Sequence, residues 1–450
     1  MKKSIALLLG LSFAQNSLAM DIKEALSIAY DKSPQIKSYQ EEYISAMQEY
    51  PEVLSSGFLP DISISTSTSS QKGRDTEVGQ NLPRKMTGYS RQLNISQNLF
   101  AGGSSVSNLA AVKHKIDASK IRYILQEQEF LLKATIAYIE AIVSKEKLEA
   151  TNALVASLEK EYESAEEKMN VGEATKTDVA AAKAEKSNAL AQKAKANSEY
   201  LANVSRFSSL FGVEPKDLVM PEIPKDLPDN FETFNNKATL LNLNVRYSRS
   251  QMLSSKNFAN AAKGALLPRV ELQASKSQNS TRGDTNSSLV SKRDTLSTSL
   301  VLNIPILSHG GAEHSKVRKA KAQHRRAAYE QDQALKNNTT QLIQDWENFI
   351  AAKQTVQFGA EALEAKTLEL EGRRSMYEVG ISTMLDVLKT EKEHYEAVVR
   401  NIMYKEELIK AAFTVKSDLA QLTAKDMGLN AKIFDPEREF RKTKFKVVGF

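Results

Sequence analysis

The chain has 450 residues, of which 26% are charged and 41% hydrophobic, and it contains no cysteine. The missing cysteine excludes disulfides, thiolate-bound zinc, iron–sulfur clusters and a cysteine-linked lipid anchor. The formal net charge of +6 is concentrated in the first residues and in residues 425–450, so it does not predict a nucleic-acid-binding face.

The first 19 residues have the pattern of a secretory signal peptide. Lys2 and Lys3 give a positive start, residues 5–14 are apolar, and Ser17-Leu18-Ala19 is a small-x-small motif after which cleavage is expected. The apolar stretch is too short to cross the roughly 30 Å of hydrocarbon in a membrane. We therefore expect an exported protein whose mature chain begins at Met20.

The mature sequence is duplicated at a constant offset of 208 residues. Four pairs of dipeptides keep this offset: Leu59-Pro60 with Leu267-Pro268, Gly102-Gly103 with Gly310-Gly311, Val171-Gly172 with Val379-Gly380, and Asp178-Val179 with Asp386-Val387. Such a long period indicates two copies of a whole structural half, because solenoid repeats have periods of about 20–50 residues.

Each half has the same predicted order of elements: a helical segment, two strands with alternating apolar and polar residues, a very long helix and a returning helix. The first repeat is predicted at 20–211, with a strand pair at about 57–100, a long helix at 104–169 and a return helix at 175–211. A proline-rich linker follows at 212–236. The second repeat is predicted at 237–424, with a strand pair at about 267–306, a long helix at 312–378 and a return helix at 382–423, and a basic tail occupies 425–450. Polar loops are expected at about 70–88 and 279–292. Residues 436–450 are expected to form a disordered basic extension past the repeat, with contact to anionic lipid as the alternative.

The long helices have coiled-coil periodicity, with apolar positions three and four residues apart along 335–370 and 385–413. In 121–143 two such seams lie side by side, so that one helix can contact a neighbour on each side. An ordinary bundle and a ring of helices around a hollow interior both agree with this pattern. The predicted helix length of about 100 Å and the strand pairs at one end favour the ring.

Four strands per chain are too few to close a membrane barrel, which needs about eight. Since open sheet edges are not tolerated in lipid, several copies would have to share one barrel. The alternatives are a periplasmic or secreted coiled-coil structural protein without channel activity, and a hydrolase on a helical scaffold. The hydrolase has little support, because no nucleotide-binding, nucleophile-elbow or metal-ligand motif occurs.

Residues 22–424 resemble the TolC-like outer-membrane efflux proteins. The resemblance lies in the duplicated element order, in Ala29, and in the segments 33–36, 59–60, 99–103, 171–179 and 377–387. It implies a mainly α fold with a β-barrel part: a homotrimer with a twelve-stranded barrel in the outer membrane, continued by an α-helical periplasmic tunnel. The implied function is a passive, non-enzymatic exit duct of a tripartite efflux or type I secretion system. Its implied partners are a periplasmic adaptor, an inner-membrane transporter and outer-membrane lipid, with no cofactor, metal or nucleic acid.

The resemblance also implies a gate at the periplasmic end. Tyr377 on one coil would face Asp178 on another, beside Thr177, and Ser382 stands where the family has an arginine. One salt bridge of the family's gate would therefore be missing. The helix-hairpin tips, with Val171, Gly172, Val379 and Gly380, would dock the adaptor.

The narrowest point of the implied tunnel would contain Asp386, whereas Lys389 occupies the position of a second aspartate. Three lysines would offset a ring of three aspartates, which predicts weaker cation selectivity than a double aspartate ring. The residues alone favour helix capping for Asp178 and Asp386, because each follows a glycine at a predicted helix start. The resemblance favours the gate and the constriction.

Overall fold

The computed structural model of the chain describes residues 20–77, 80–284, 290–447 and 449. The predicted signal peptide at 1–19 lies outside these ranges. Within the described ranges, no helix is both long enough and apolar enough to cross a membrane.

The described chain forms long helices and two strand pairs, in the same order in both halves. The helices are α1 (Ile22–Lys32), α2 (Pro34–Met47), α3 (Glu49–Phe58), α4 (Ser104–Asn170), α5 (Lys176–Phe211), α6 (Phe231–Leu241), α7 (Leu243–Gly264), α8 (Ala312–Glu378), α9 (Met384–Asp418) and α10 (Pro436–Thr443). The strands are β1 (Asp61–Glu77), β2 (Gln80–Ala101), β3 (Arg269–Asp284) and β4 (Val290–Asn303). Helices α4 and α8 contain 67 residues each. The predicted fold, mainly helical with two strand pairs in two structural repeats, is confirmed.

The contacts of the chain divide it into two compact units. The sheet unit contains residues 38–125, 243–338 and 434–450, and the hairpin unit contains the described residues up to 37 together with 126–242 and 339–433. Each long helix contributes one end to each unit.

The sheet unit is built around one antiparallel sheet in the order β1-β2-β3-β4. Ile62 pairs with Ile95, Ile95 with Ala274, and Leu272 with Leu300. Because paired residues point to the same side of a sheet, these residues form one apolar face across all four strands. The alternate positions are mostly Ser, Thr, Asn and Gln and form a polar face.

The strands are longer than the sequence predicts. β1 and β2 pair as far as Glu77 and Gln80, and β3 extends to Asp284. The loops expected at about 70–88 and 279–292 are therefore wrong over most of their length. The prediction recognised strands by their alternating apolar residues. Neighbouring strands are paired by backbone hydrogen bonds, however, and segments with only polar side chains form these bonds as well.

An aromatic cluster holds the C-terminal segment in the sheet unit. The Phe434 ring centroid lies 6.2 Å from that of Tyr43 and 5.3 Å from that of Tyr123, and the Phe440 centroid lies 5.5 Å from that of Tyr50. Residues 436–443 are helical, so the expectation of a disordered extension is wrong there. That expectation weighed the charge of the tail and overlooked two phenylalanines that can pack on tyrosines.

The hairpin unit has two apolar clusters, one among α6, α8 and α9 and the other among α4, α5 and α9. One contains Phe234, Leu342 and Trp346, with the Trp346 ring stacked 5.2 Å from that of Phe234. The other lies closer to the hairpin turns and contains Leu158 and Leu388 among its buried residues. These clusters are the interior that the coiled-coil periodicity predicts.

Two acidic side chains of the hairpin unit are shielded from water, Asp418 at a half-buried position and Glu127 at a buried one. Burial, and then the neighbouring Asp345, raise the pKa of Asp418 to about 8, while the Gln341 amide donates a hydrogen bond to Asp345 at 2.9 Å. Glu127 is 5% exposed and accepts a hydrogen bond from the Ala424 N–H at 2.9 Å. Burial raises the pKa of Glu127 to about 7, although that hydrogen bond acts in the opposite direction.

Candidate functional site

The two helical hairpins, α4–α5 and α8–α9, end in turns of the same geometry. The backbone angle φ is +86° at Gly172 and +77° at Gly380. The Gly172 N–H donates to Met169 O and the Gly380 N–H to Tyr377 O, both at 3.1 Å. Glycine adopts this left-handed conformation without a steric penalty, so both Val-Gly pairs have a structural role in ending a helix.

Each return helix begins with a reciprocal capping box. The Asp178 N–H donates to Thr175 Oγ1 at 3.2 Å, and the Thr175 N–H donates to Asp178 Oδ2 at 2.9 Å. The Asp386 N–H donates to Thr383 Oγ1 at 3.2 Å, and the Thr383 N–H donates to Asp386 Oδ2 at 3.1 Å. Hydrogen bonds from the threonines hold the pKa of both aspartates below the usual range, so both carboxylates are ionised at neutral pH.

The structure therefore gives both aspartates the capping role that the residues alone favour. Within one chain, the described residues form no hydrogen bond between Tyr377 and Asp178. The Lys168 Nζ lies 4.2 Å from the centroid of the Tyr377 ring, and this ring packs on the buried cluster that contains Leu388. Thr177 is exposed in the first turn of α5.

Ser382 and Lys389, which the sequence places at the expected gate and constriction, have local partners on the second hairpin. The Ser382 hydroxyl donates to Asp386 Oδ2 at 3.4 Å. Lys389 is exposed, with its Nζ 4.0 Å from Glu393 Oε1. Asp386 and Lys389 are three residues apart, so they lie on the same side of α9, one turn from its start.

The turns themselves expose apolar side chains. Val171 is 72% exposed, Val379 69% and Ile381 77%. Scattered apolar residues are common on surfaces, but Val171 and Val379 occupy the equivalent place on two hairpins, whereas Glu173 is the equivalent of Ile381. These tips therefore present apolar side chains that no other part of the described chain covers.

One ionic cluster of the hairpins is not predicted by the sequence pattern. The Arg374 Nη2 donates to Glu391 Oε2 at 2.6 Å and to Ser157 Oγ at 2.8 Å. It thereby joins α8 to both α9 and α4. The Glu391 side chain is 7% exposed, so removing Arg374 would leave a nearly buried carboxylate without its cation. A signal was present in the duplication, because the equivalent first-repeat positions are Glu166 and Lys183, with the charges reversed.

The family model for "Outer membrane efflux protein" matches residues 25–213 and 236–420, which is most of the chain. The chain belongs to the outer membrane efflux protein family.

Individual proteins agree with this assignment. The chain is 25% identical over 358 residues to the outer membrane efflux protein BepC of Brucella suis biovar 1, covering 79% of this chain and 77% of the relative. It is 23% identical to the outer membrane protein TolC of Escherichia coli, covering 97% and 90%. Among solved structures, the CmeC outer membrane channel of Campylobacter jejuni superposes with a TM-score of 0.74 at 17% identity, covering 94% of this chain and 89% of that one. The outer-membrane channel OprN gives a TM-score of 0.77 at 15% identity, covering 89% of both chains.

As an outer membrane efflux protein, the chain is a non-enzymatic efflux channel of the outer membrane with a periplasmic extension. Family membership also implies a trimeric channel that works with an efflux pump system. The predicted function and localisation are thereby confirmed. The alternatives, a structural coiled-coil protein without channel activity and a hydrolase, are excluded.

Proposed function

We propose that three copies of this outer membrane efflux protein close a single twelve-stranded barrel and form the exit duct of a tripartite efflux or type I secretion system. The duct conducts substrates passively, and an inner-membrane transporter supplies the energy. A periplasmic adaptor joins the transporter to the duct. The observation that carries this proposal is the four-stranded sheet with an uncovered apolar face and two open edges.

The open edges are β1 and β4, each paired with one neighbour among the described strands. In hydrocarbon each unpaired backbone polar group costs several kcal/mol, so an open sheet is unstable there. The exposed fractions of Ile64 (78%) and Leu296 (76%) suit contact with lipid chains. Pairing β4 of one copy with β1 of the next removes every edge once the ring closes.

Cysteine cross-linking across the proposed seam tests the trimer, and the natural chain offers a cysteine-free background. Ser65→Cys on β1 is combined in turn with Thr295→Cys, Ser297→Cys and Ser299→Cys on β4. All four positions lie on the polar face, and the panel samples the unknown register. For at least one pair we expect oxidised membranes to give covalent dimers and trimers.

The matched control is Ser90→Cys on β2, an inner strand whose neighbours belong to the same chain. It should give no intermolecular product. If no β1–β4 pair cross-links while membrane insertion is normal, closure through these edges is refuted.

The hairpin tips support adaptor docking because Val171 and Val379 are exposed apolar side chains at equivalent turns. Val171→Asp with Val379→Asp should reduce cellular efflux without reducing the amount of trimer in the membrane, since a charge opposes burial in an apolar contact. Lys176→Gln, an exposed change near the same turn, is the control. Normal efflux by the aspartate variant would exclude docking through these valines.

For the pore, we expect the Asp386 and Lys389 side chains of three copies to meet near the tunnel axis, with Tyr377, Asp178, Thr177 and Ser382 close to the contacts that hold the tips closed. Lys389→Asp should then increase cation over anion permeability in planar-bilayer recordings, because it replaces three positive charges with three negative ones. Lys392→Asp on α9 controls for charge alone. Equal selectivity changes in both variants would place Lys389 outside the constriction.

A further inference from the structure

The basic segment, defined here as residues 436–447, has no assigned part in the duct. It contains five basic residues: Arg438, Arg441, Lys442, Lys444 and Lys446. Its two acidic residues form ion pairs, Glu437 with Lys120 and Arg441, and Glu439 with Lys442. Five basic residues against two acidic ones leave the segment with a positive excess.

The aromatic contacts define the direction of α10 within the sheet unit. Before α10, Phe434 packs on Tyr43 of α2; within α10, Phe440 packs on Tyr50 of α3. The chain from Tyr43 to Tyr50 advances towards Phe58, where α3 ends just before β1 begins. Helix α10 therefore runs alongside α3 towards the start of the sheet.

Contacts with α4 give the same direction independently. Phe434 lies against Tyr123, and Glu437, three residues later, pairs with Lys120. The segment thus approaches Ser104, the first residue of α4, which follows the end of β2.

The remaining distance to the sheet is short. From Tyr50 to Phe58 the α-helical rise of 1.5 Å per residue gives about 12 Å. The rest of α10 after Phe440 covers about 4 Å of this distance. After α10 the chain forms a turn, in which the Lys446 N–H donates to Thr443 O at 2.8 Å. The basic segment therefore ends within about 8 Å of the level at which the strands begin, and its long lysine side chains can extend across this gap.

The two faces of the segment differ in chemistry. Phe440 is turned towards Tyr50, whereas Arg438, Arg441 and Lys442 are exposed. Phe445 is 68% exposed, with the Lys444 Nζ 4.7 Å from its ring centroid. Exposed basic residues beside an exposed aromatic ring are typical of segments that lie at a membrane surface.

We propose that the basic segment binds anionic phospholipid headgroups at the periplasmic surface of the outer membrane, with the Phe445 ring in the interfacial layer. The inference rests on the proposed function, because it requires the sheet to lie in the bilayer. Charge complementarity and the position beside the strand ends favour lipid over any other occupant. Each basic residue near an anionic surface strengthens binding roughly fivefold.

A tryptophan reporter tests this binding in the assembled full-length channel. Trp346 is the single tryptophan of the chain, so Phe445→Trp with Trp346→Phe places the signal in the basic segment. The channel is reconstituted in phosphatidylcholine nanodiscs with a minor fraction of lipid brominated on its acyl chains, either phosphatidylglycerol or phosphatidylcholine. We expect brominated phosphatidylglycerol to quench the reporter at least about twofold more, and high salt to remove the difference.

Two sets of controls accompany the reporter. Arg438→Gln with Arg441→Gln and Lys442→Gln should abolish the preference for phosphatidylglycerol. The same number of neutralised lysines on α5, at the exposed positions Lys183, Lys193 and Lys195, should leave it unchanged. If Trp346→Phe prevents assembly, the reporter is measured in the natural background after subtracting the quenching of the unmodified chain.

Leu300→Trp, on the apolar face of the sheet, separates the two proposals. Lipid recognition by the basic segment is overturned if Leu300→Trp is quenched while Phe445→Trp is either not quenched or quenched equally by both lipids. The barrel proposal is then still supported. If Leu300→Trp is not quenched by either lipid, the barrel proposal fails, and the binding proposal fails with it.

Discussion

Asp418→Asn should make the channel more stable at neutral and alkaline pH. Burial and the neighbouring Asp345 favour the protonated form of Asp418 in the folded chain, so ionising Asp418 destabilises the fold. Its carboxyl lies next to Asp345, which already accepts a hydrogen bond from Gln341. Two ionised carboxylates at this half-buried position would repel one another. An asparagine at this position carries no titrating proton, and its amide can donate to the Asp345 carboxylate.

The magnitude follows from the difference in pKa between the folded and unfolded states. The pKa of Asp418 is raised from 3.8 to about 8, so the folded chain binds one more proton than the unfolded chain between these values. Stability therefore decreases as the pH rises through this window, by up to about 1.4 kcal/mol per pH unit for each chain. Between pH 5 and pH 7 the variant should gain up to about 3 kcal/mol relative to the natural chain.

Thermal unfolding of the detergent-solubilised channel, followed by circular dichroism between pH 5 and pH 8, measures this effect. The difference in midpoint between Asp418→Asn and the natural chain should grow as the pH rises. Asp226→Asn is the matched control, because a hydrogen bond from Lys416 lowers the pKa of Asp226. Asp226 stabilises the fold above its unfolded pKa and loses this effect only as the pH falls below it, so its variant should show a constant difference over this range. A constant difference for Asp418→Asn as well would refute the reasoning.

Three further predictions concern the helices. Gly359→Ala should destabilise the chain by about 1–3 kcal/mol, because the new methyl group would lie 2.4 Å from the Tyr404 ring; thermal midpoints measure this. Gly372→Ala on the same helix meets nothing within 4 Å and should instead stabilise by up to about 1 kcal/mol. Thr383→Ala should lower the free energy of unfolding by about 1 kcal/mol and increase amide hydrogen exchange in the first turn of α9. Thr383→Ser should do neither, because serine keeps the capping hydroxyl. Unchanged exchange in the alanine variant would contradict the capping role. Glu127→Gln should leave stability little changed at pH 5 and increase it at pH 8, because burial raises the pKa of Glu127 to about 7; equal shifts of the thermal midpoint at both pH values would contradict this.

The long helices were predictable from sequence because their packing imposes a period on many residues. A seam such as that of 335–370 repeats one physical requirement, the burial of one side, at every turn. The strand segments with alternating apolar and polar residues were predictable for the same reason, since one face of the sheet is apolar along them. The outer ends of the strands lack this signal, since their pairing depends on backbone hydrogen bonds and on the neighbouring strand.

Contacts between segments far apart in the chain were not predictable. Helix α10 is stabilised by Tyr43 and Tyr50, nearly 400 residues earlier, and no local pattern connects these positions. The Arg374–Glu391 pair depends on how α8 packs against α9 and α4, and the reversed charges at Glu166 and Lys183 give a sequence signal for the pair but not for the contact with α4. By contrast, the capping role of Asp178 and Asp386 was predictable, because a capping box involves only residues i and i+3.

The duplication separates residues that both hairpin turns need from residues that occur in only one of the two hairpins. Asp178 and Asp386 occur at equivalent positions because both return helices need the same cap. Their presence is therefore explained without a gate.

Positions at which the two repeats differ cannot be explained by a shared turn geometry. Tyr377 is equivalent to Met169, and Lys389 to Ala181, although both turns have the same backbone hydrogen bonds. The second hairpin thus carries polar groups that the shared turn geometry does not require, although the Tyr377 ring packs on the buried cluster that contains Leu388. Arg374 joins this hairpin to the first. Opening and selectivity should consequently depend on substitutions in α8 and α9 more than on the equivalent positions of α4 and α5.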